Sequence, residues 1–271
     1  QKETDQLILG DGGNLRRNPS QQLAIMRHLI DIRSALRDGQ QEVPHWLQTT
    51  IDRMAPMLRF FRHGDGGLAL FNGSHEEEGL LLDVVLTRSE ARGKALESAP
   101  HSGFERLVAN RTAIIMDVGS APPPGVDSLA HAGALSFEMS VGKDRLVVNC
   151  GAHQGDNAAW IAAQRTTAAH STVTVEDVNS AQILEKGGFG GRPPTATVDR
   201  KEADGDIWID GTHDGYQRTF VLVHERRLYL SANGGDVRGE DTLTGEGNHK
   251  FVVRFHLHPT VRASMVQEGN A

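Results

Sequence analysis

The sequence offers a single cysteine, Cys150, among 271 residues. No disulfide can close within the chain, and redox compartment cannot be read from it. No apolar run approaches the roughly 18 residues of a membrane-spanning helix. A basic excess is missing too: 28 Lys and Arg face 35 Asp and Glu, for a formal charge of −7. That balance excludes a generic nucleic-acid binder, which carries a positive surface. It also requires any site for an acidic ligand to gather Arg and His locally. A Gly-x-Ser-x-Gly elbow, a Walker loop and a Cys-rich zinc pattern are all absent. Gly187–Gly191 lacks the strand-then-helix setting of a dinucleotide loop and reads as a flexible surface loop. The chain opens Gln1-Lys2-Glu3 with no Met. The expectation is an excerpt of a longer protein, with any export signal upstream.

What is present divides into two periodicities. Asn18-Pro19 is an N-cap followed by a first-turn proline, and Leu23, Met26, Leu29, Ile30 and Leu36 then recur at helical spacing up to Gly39. A second helix is predicted from near Pro44 through Trp46, Leu47, Ile51, Met54, Leu58 and Phe61. A third is predicted to start at Ser74 with Glu76–Glu78 as its acidic first turn and to reach Leu96. Beyond Pro100 the period becomes two. Leu135, Phe137 and Met139 alternate with Ser136, Glu138 and Ser140, and a Gly142-Lys143 turn leads into Leu146–Val148. Further strands are expected at 104–108, 112–118, 168–176, 194–202, 206–210, 217–223, 226–232 and 250–258, with a hairpin turn at Asp204-Gly205. The chain is therefore read as α+β: a helical segment over 1–98 and an antiparallel β-sandwich over 99–271.

Histidine is plentiful, with thirteen in all. Strand alternation puts His170 with Thr172 and Thr174, opposite the core-facing Val173 and Val175. It likewise puts Arg254, His256 and His258 on one face, opposite Phe255 and Leu257. His256 and His258 could reach one metal, or simply hydrogen-bond across a sheet surface. His131 precedes a strand, a common place for functional groups. His213-Asp214-Gly215-Tyr216 packs imidazole, carboxylate and phenol around a turn, and both functional and structural readings stay open. Arg226-Arg227 reads by default as a solvated strand edge.

The ordered series Asp11-Gly12-Gly13, Arg17-Asn18-Pro19, Ala130-His131-Ala132, Ser136-Phe137-Glu138, Asn149-Cys150-Gly151, Arg165, Ala169-His170-Ser171-Thr172, His213–Tyr216 and Phe255–Pro259 resembles the heparinase II/III-like family. The resemblance runs over nearly the whole chain. It implies the last helices of an α/α toroid followed by an antiparallel sandwich that is incomplete at the C-terminus. It also implies β-elimination on an acidic, uronic-acid-containing glycan, with no nucleic-acid partner, and a periplasmic or cell-envelope location. On that resemblance His170, His131, His213 and Tyr216 are the candidate catalytic groups, and Arg16, Arg17, His256 and His258 the candidate substrate contacts. His131, Asn149 and His170 match the positions where relatives hold a structural metal, so a zinc ion is a possible cofactor. Asn149 departs from the family's acidic ligand, and the toroid segment carries Gln21 and Gln22 where lyases carry Tyr and His. A catalytically silent glycan-binding module is therefore the alternative.

Overall fold

The computed structural model describes residues 2–264. A short helix α1 (Lys2–Leu7) leads to α2 (Pro19–Asp38), which starts as its chemistry predicts. Asn18 Oδ1 accepts from Gln21 N at 3.0 Å, and Pro19 sits in the first turn, where its missing N–H costs nothing. Helix α3 (His45–Phe60) follows after Pro44. Helix α4 (Gly79–Ser89) is shorter than predicted at both ends. Ser74 does not cap it; its hydroxyl accepts instead from Ser20 N at the start of α2 (2.9 Å). The Glu run lies ahead of the helix, with Glu76 paired to Arg145 at 3.2 Å and Glu77 to His75 at 3.0 Å. At its far end Glu90 turns left-handed (φ 63°), and the buried Arg33 takes the carbonyls of Arg88 and Ser89. Chain that would have continued toward Leu96 is released there.

The strands are β1 (Ser98–Ala99), β2 (Phe104–Ala109), β3 (Thr112–Asp117), β4 (Phe137–Val141), β5 (Asp144–Val148), β6 (Val173–Val175), β7 (Gln182–Ile183), β8 (Phe189–Gly190), β9 (Ala196–Ala203), β10 (Asp206–His213), β11 (Leu222–Leu230), β12 (Val237–Gly245), β13 (Phe251–Val253) and β14 (His256–Leu257). One sheet has the order β1-β2-β3-β4-β5-β14 and a second β12-β11-β10-β9; the pairs β13-β6 and β7-β8 stand apart. Every pairing is antiparallel. The Asp204-Gly205 hairpin has both residues at positive φ (53° and 85°), as a tight two-residue turn between right-twisted strands requires.

Four local expectations are corrected. Residues 217–220 form a one-turn helix, α6 (Gln217–Phe220), after a seven-residue α5 (Ala158–Gln164) that the pattern missed. The stretch 168–176 opens in the 3₁₀ turn Thr167–Ala169 and bends through 170–172, and only Val173–Val175 forms a strand. Phe255 and Leu257 are exposed (54% and 45%), so the apolar side of 254–258 does not face the core. Gly187–Gly191 is a tied hairpin, since Asp127 accepts from Phe189 N and Arg165 donates to Leu184 O and Gly188 O. The expectation of an abrupt end over Gln267–Ala271 lies outside the described residues.

The six-stranded sheet is the middle of three layers. Its inner face packs Leu107, Ile114, Met116 and Phe137 against Ile207, Ile209, Leu228 and Leu230 of the four-stranded sheet. From its other face Phe104 and Ile115 enter the helical core of Leu23, Met26, Ile51, Leu58, Phe60 and Phe71. That second face is also where the polar half of the β4 alternation points. Glu138 and Ser140 are buried against the helices rather than solvated. Among the described residues no helix is long and apolar enough to cross a membrane.

Candidate functional site

Three buried polar clusters sit along these layer boundaries. In the first, the loop after Pro122–Pro124 brings His131 against His170, with Nδ1 of one 3.3 Å from Nε2 of the other. His170 Nδ1 lies 2.8 Å from Thr166 O. A carbonyl only accepts, so that nitrogen carries the proton, and Nε2 must accept from His131 Nδ1–H. His131 keeps an unprotonated Nε2. Burial pushes the His170 imidazole down to about 4 and His131 well below its ordinary range, so both rings are neutral at pH 7. Asn149 is beside them, its Oδ1 accepting from Ser171 N at 3.0 Å and its Nδ2 buried without a partner.

These residues do not fit zinc. Two imidazole nitrogens 3.3 Å apart could share one edge of a tetrahedral ion. The third donor, however, is a neutral amide oxygen already engaged by a backbone N–H. Among the described residues no group of three His, Cys, Asp or Glu is placed to hold a metal. Two neutral rings and an amide would leave a dication uncompensated in the interior. Nor do His256 and His258 converge: His256 Nε2 meets Ala168 O at 2.9 Å, and His258 Nδ1 meets Thr260 Oγ1 at 2.8 Å.

The second cluster holds His213 and Tyr216, both 1% exposed, where the four-stranded sheet meets the β13-β6 pair. Gly215 N–H donates to His213 Nδ1 (3.1 Å), which fixes the His213 proton on Nε2, 3.0 Å from His224 Nδ1. His224 Nε2–H then donates to Asp241 Oδ1 at 2.8 Å. Arg226 closes the line with two bonds to the same carboxylate and two more to Leu135 O and Ser171 O. Burial alone would raise the Asp241 carboxyl, but the bonds from His224 and Arg226 outweigh it and hold the group at about 2. Burial pushes His213 and His224 down, so the chain of donors runs one way through neutral rings. Tyr216 donates to Val173 O at 2.8 Å, and burial drives its phenol upward. Arg226 is thus an interior residue rather than a solvated edge, at 1% exposure.

The third cluster joins helices to sheet. His63, fully buried, places Nε2 3.0 Å from Glu138 Oε2 and Nδ1 3.0 Å from Ser140 Oγ. Glu138 Oε1 accepts from Leu70 N and Asn149 N at 3.0 and 2.9 Å. Nearby, Arg17 is inserted below the Ser102-Gly103 turn. It donates to Ser102 O, Gly103 O and the Asp117 carboxylate. Its guanidinium is therefore committed within the protein, whereas Arg16 on the same loop is half-buried.

Arg17, Asn72, Asp117 and His131 line a small cavity of about 20 Å³, room for a water rather than a sugar ring. It adjoins a cleft of about 390 Å³ between the Leu9–Arg17 segment and the sandwich, which also shares Arg17. His101, Ser102, Glu105, Ser120 and Thr197 supply the cleft's polar lining. So the structure joins His131 to His170 and His213 to Tyr216 as two separate clusters, and His131 lines the small cavity. His63, Asn72, Asp117, His224 and Asp241 were not singled out from the sequence. Only Glu138 gave a signal, as an acidic residue inside a strand alternation.

Residues 91–271 match the model of the heparinase II/III-like C-terminal domain. The chain belongs to the heparinase II/III-like family. FtsZ-localized protein C of Caulobacter vibrioides (strain NA1000 / CB15N) is 34% identical over 289 aligned positions, covering 99% of this chain and 49% of that protein. A mutant of heparan sulfate lyase HepC from Pedobacter heparinus superposes with a TM-score of 0.72 at 17% identity, covering 95% of this chain and 42% of that one. A heparinase III structure gives 0.74 at 13% identity, covering 95% and 44%. At such identities the fold is what is shared. The chain spans about half the length of the curated relative it matches.

Proposed function

We propose that this chain is the sandwich-bearing half of a polysaccharide-lyase-like protein that holds an acidic glycan without itself supplying the acid and base of β-elimination. One observation carries this reading: where the candidate groups put their hydrogen-bonding atoms. A general base must come within about 2.6–3.2 Å of the proton it removes. His170 has both ring nitrogens engaged, as does His213, and the Tyr216 hydroxyl is bonded to a strand carbonyl. The cleft lined by Arg17 and His101 is where a uronate-containing oligosaccharide would lie, and the family supplies that ligand class. The experiment uses the full-length protein and a panel of uronic-acid polymers, with binding and the ultraviolet absorbance of unsaturated uronate read together. Retention without an absorbance rise is expected. Any rise would overturn the silent reading in favour of a lyase, and its loss in His131→Ala would assign the base to His131, which lines the small cavity. No retention of any acidic polymer would remove the glycan itself.

A second reading follows from the relative at 34% identity, whose name places it with FtsZ. By this reading the chain is part of a protein recruited to an FtsZ-containing assembly. Co-sedimentation with FtsZ polymers tests it, and absence from the pellet would reject it. Fractionation with FtsZ as the marker decides between that assembly and a periplasmic or envelope position.

A further inference from the structure

The four-stranded sheet has an outer face that none of the described residues covers. Its register lines up one row of side chains straight across all four strands: Lys201 on β9, Trp208 on β10, Tyr229 on β11 and Arg238 on β12. The two aromatic rings touch, with centroids 5.2 Å apart and planes tilted by 43°. Arg238 lies over the Tyr229 ring, 5.6 Å from its centroid. The chain has three tryptophans and two tyrosines in all, so one of each is placed on this half-exposed surface. A hollow of about 500 Å³ opens over the row, and Arg227 and Glu240 on its border belong to the next row along the sheet.

A cross-strand aromatic pair stabilises a sheet by its own contact. That benefit needs neither the hollow nor the ring of fixed polar groups around the pair. Those groups are held in place by their own pairings. Tyr229 Oη donates to Asp206 at 2.9 Å, Arg238 pairs with Asp236 at 2.6 Å, Lys201 with Asp199 at 2.9 Å, and Arg227 with Asp210. Three cations thus stand among five carboxylates, counting Glu240. A dense polyanion would be repelled by this surface. A pyranose ring presents C–H groups that stack on aromatic faces, and its hydroxyls both donate to carboxylates and accept from guanidinium groups.

We propose that the Trp208–Tyr229 row is a second carbohydrate site, on the outer face of the sandwich, which takes a neutral oligosaccharide by stacking. It is independent of the acidic-glycan reading of the cleft, because its ligand carries no charge and its residues line neither the cleft nor the buried clusters.

The test titrates the full chain with cellotetraose and chitotetraose as neutral probes and with a uronic-acid tetrasaccharide as the charged one. Intrinsic tryptophan fluorescence and calorimetry are read at low and high salt. A neutral probe is expected to bind with an affinity insensitive to salt and to shift the emission of Trp208. Trp208→Ala and Tyr229→Ala are each expected to weaken it tenfold or more. Trp208→Phe, which keeps the stacking surface, retains most of the affinity and guards against a folding defect. Trp160→Ala, at an exposed tryptophan elsewhere, leaves binding unchanged. The proposal is overturned if neither neutral probe binds, if binding survives both alanine variants, or if only the uronic-acid probe binds in a row-dependent manner.

Discussion

His213, His224, Asp241 and Arg226 show why a histidine-rich sequence need not mean a histidine-rich active site. Each of their donors has an acceptor inside the protein, so each change leaves an orphan. Asp241→Asn strips the counter-charge from an arginine that is 1% exposed. We expect a loss of about 3–5 kcal/mol, read as a fall in the urea midpoint. Arg37→Ala, which removes an ion pair between half-exposed side chains, should leave that midpoint nearly unchanged. The imidazoles also set a pH dependence. His131, His170, His213 and His224 all have folded values below the ordinary 6.5. Protons therefore bind the unfolded chain first as pH falls, and stability is full above about 6.5 and drains on the acid side. For His170, at about 4 when folded, the loss by pH 5 is about 2 kcal/mol. Denaturant melts at pH 7.5 and 5 should show at least that difference, and equal midpoints would contradict the neutral-ring assignment. The sequence exposed these residues only in part. The alternation around His170 was readable, but it could not say that the face shared with Thr172 and Thr174 would be covered by further protein.

At the scale of elements, the helix starts were legible because capping is local chemistry, as Asn18-Pro19 shows. The ends were less so. Helix α4 stops at Ser89 because Arg33, fifty-odd positions earlier, reaches its last carbonyls. No window centred on the helix contains that partner. Strand β12 escaped notice because it is an edge strand of VRGEDTLTG composition, mostly exposed and without an apolar stripe. Its partner β11 had the clear alternation. Turns carry the sharpest consequence at this scale. Gly12 has φ 87°, and a Cβ there would lie 2.0 Å from Arg53 O on α3. Gly12→Ala should destabilise by roughly 1–3 kcal/mol, from left-handed strain and loss of that close approach. A thermal midpoint unchanged in Gly12→Ala would mean the loop does not pack on α3 as described.

For the whole molecule, the question is whether the helices and the sandwich are one cooperative unit. The sheet between them is apolar toward the second sheet and carries Glu138 and Ser140 toward the helices, where His63, Leu70 N and Asn149 N complete the carboxylate. Arg17 and Arg145 cross the same boundary, to Asp117 and to Asp65. Unfolding one layer alone would strand a buried charge in the other. A single transition is therefore expected, with one midpoint from Trp46 in the helical layer and from Trp208 on the outer sheet in single-tryptophan variants. Two separated midpoints would show the layers to be independent. That contact between layers also constrains how the chain can vary over generations. His63 and Glu138 stand 75 positions apart in sequence, yet neither can be lost without leaving the other unsatisfied in the interior. They should change as a pair or not at all, and a graft that carries the sandwich into a new protein must bring the His63–Leu70 turn with it.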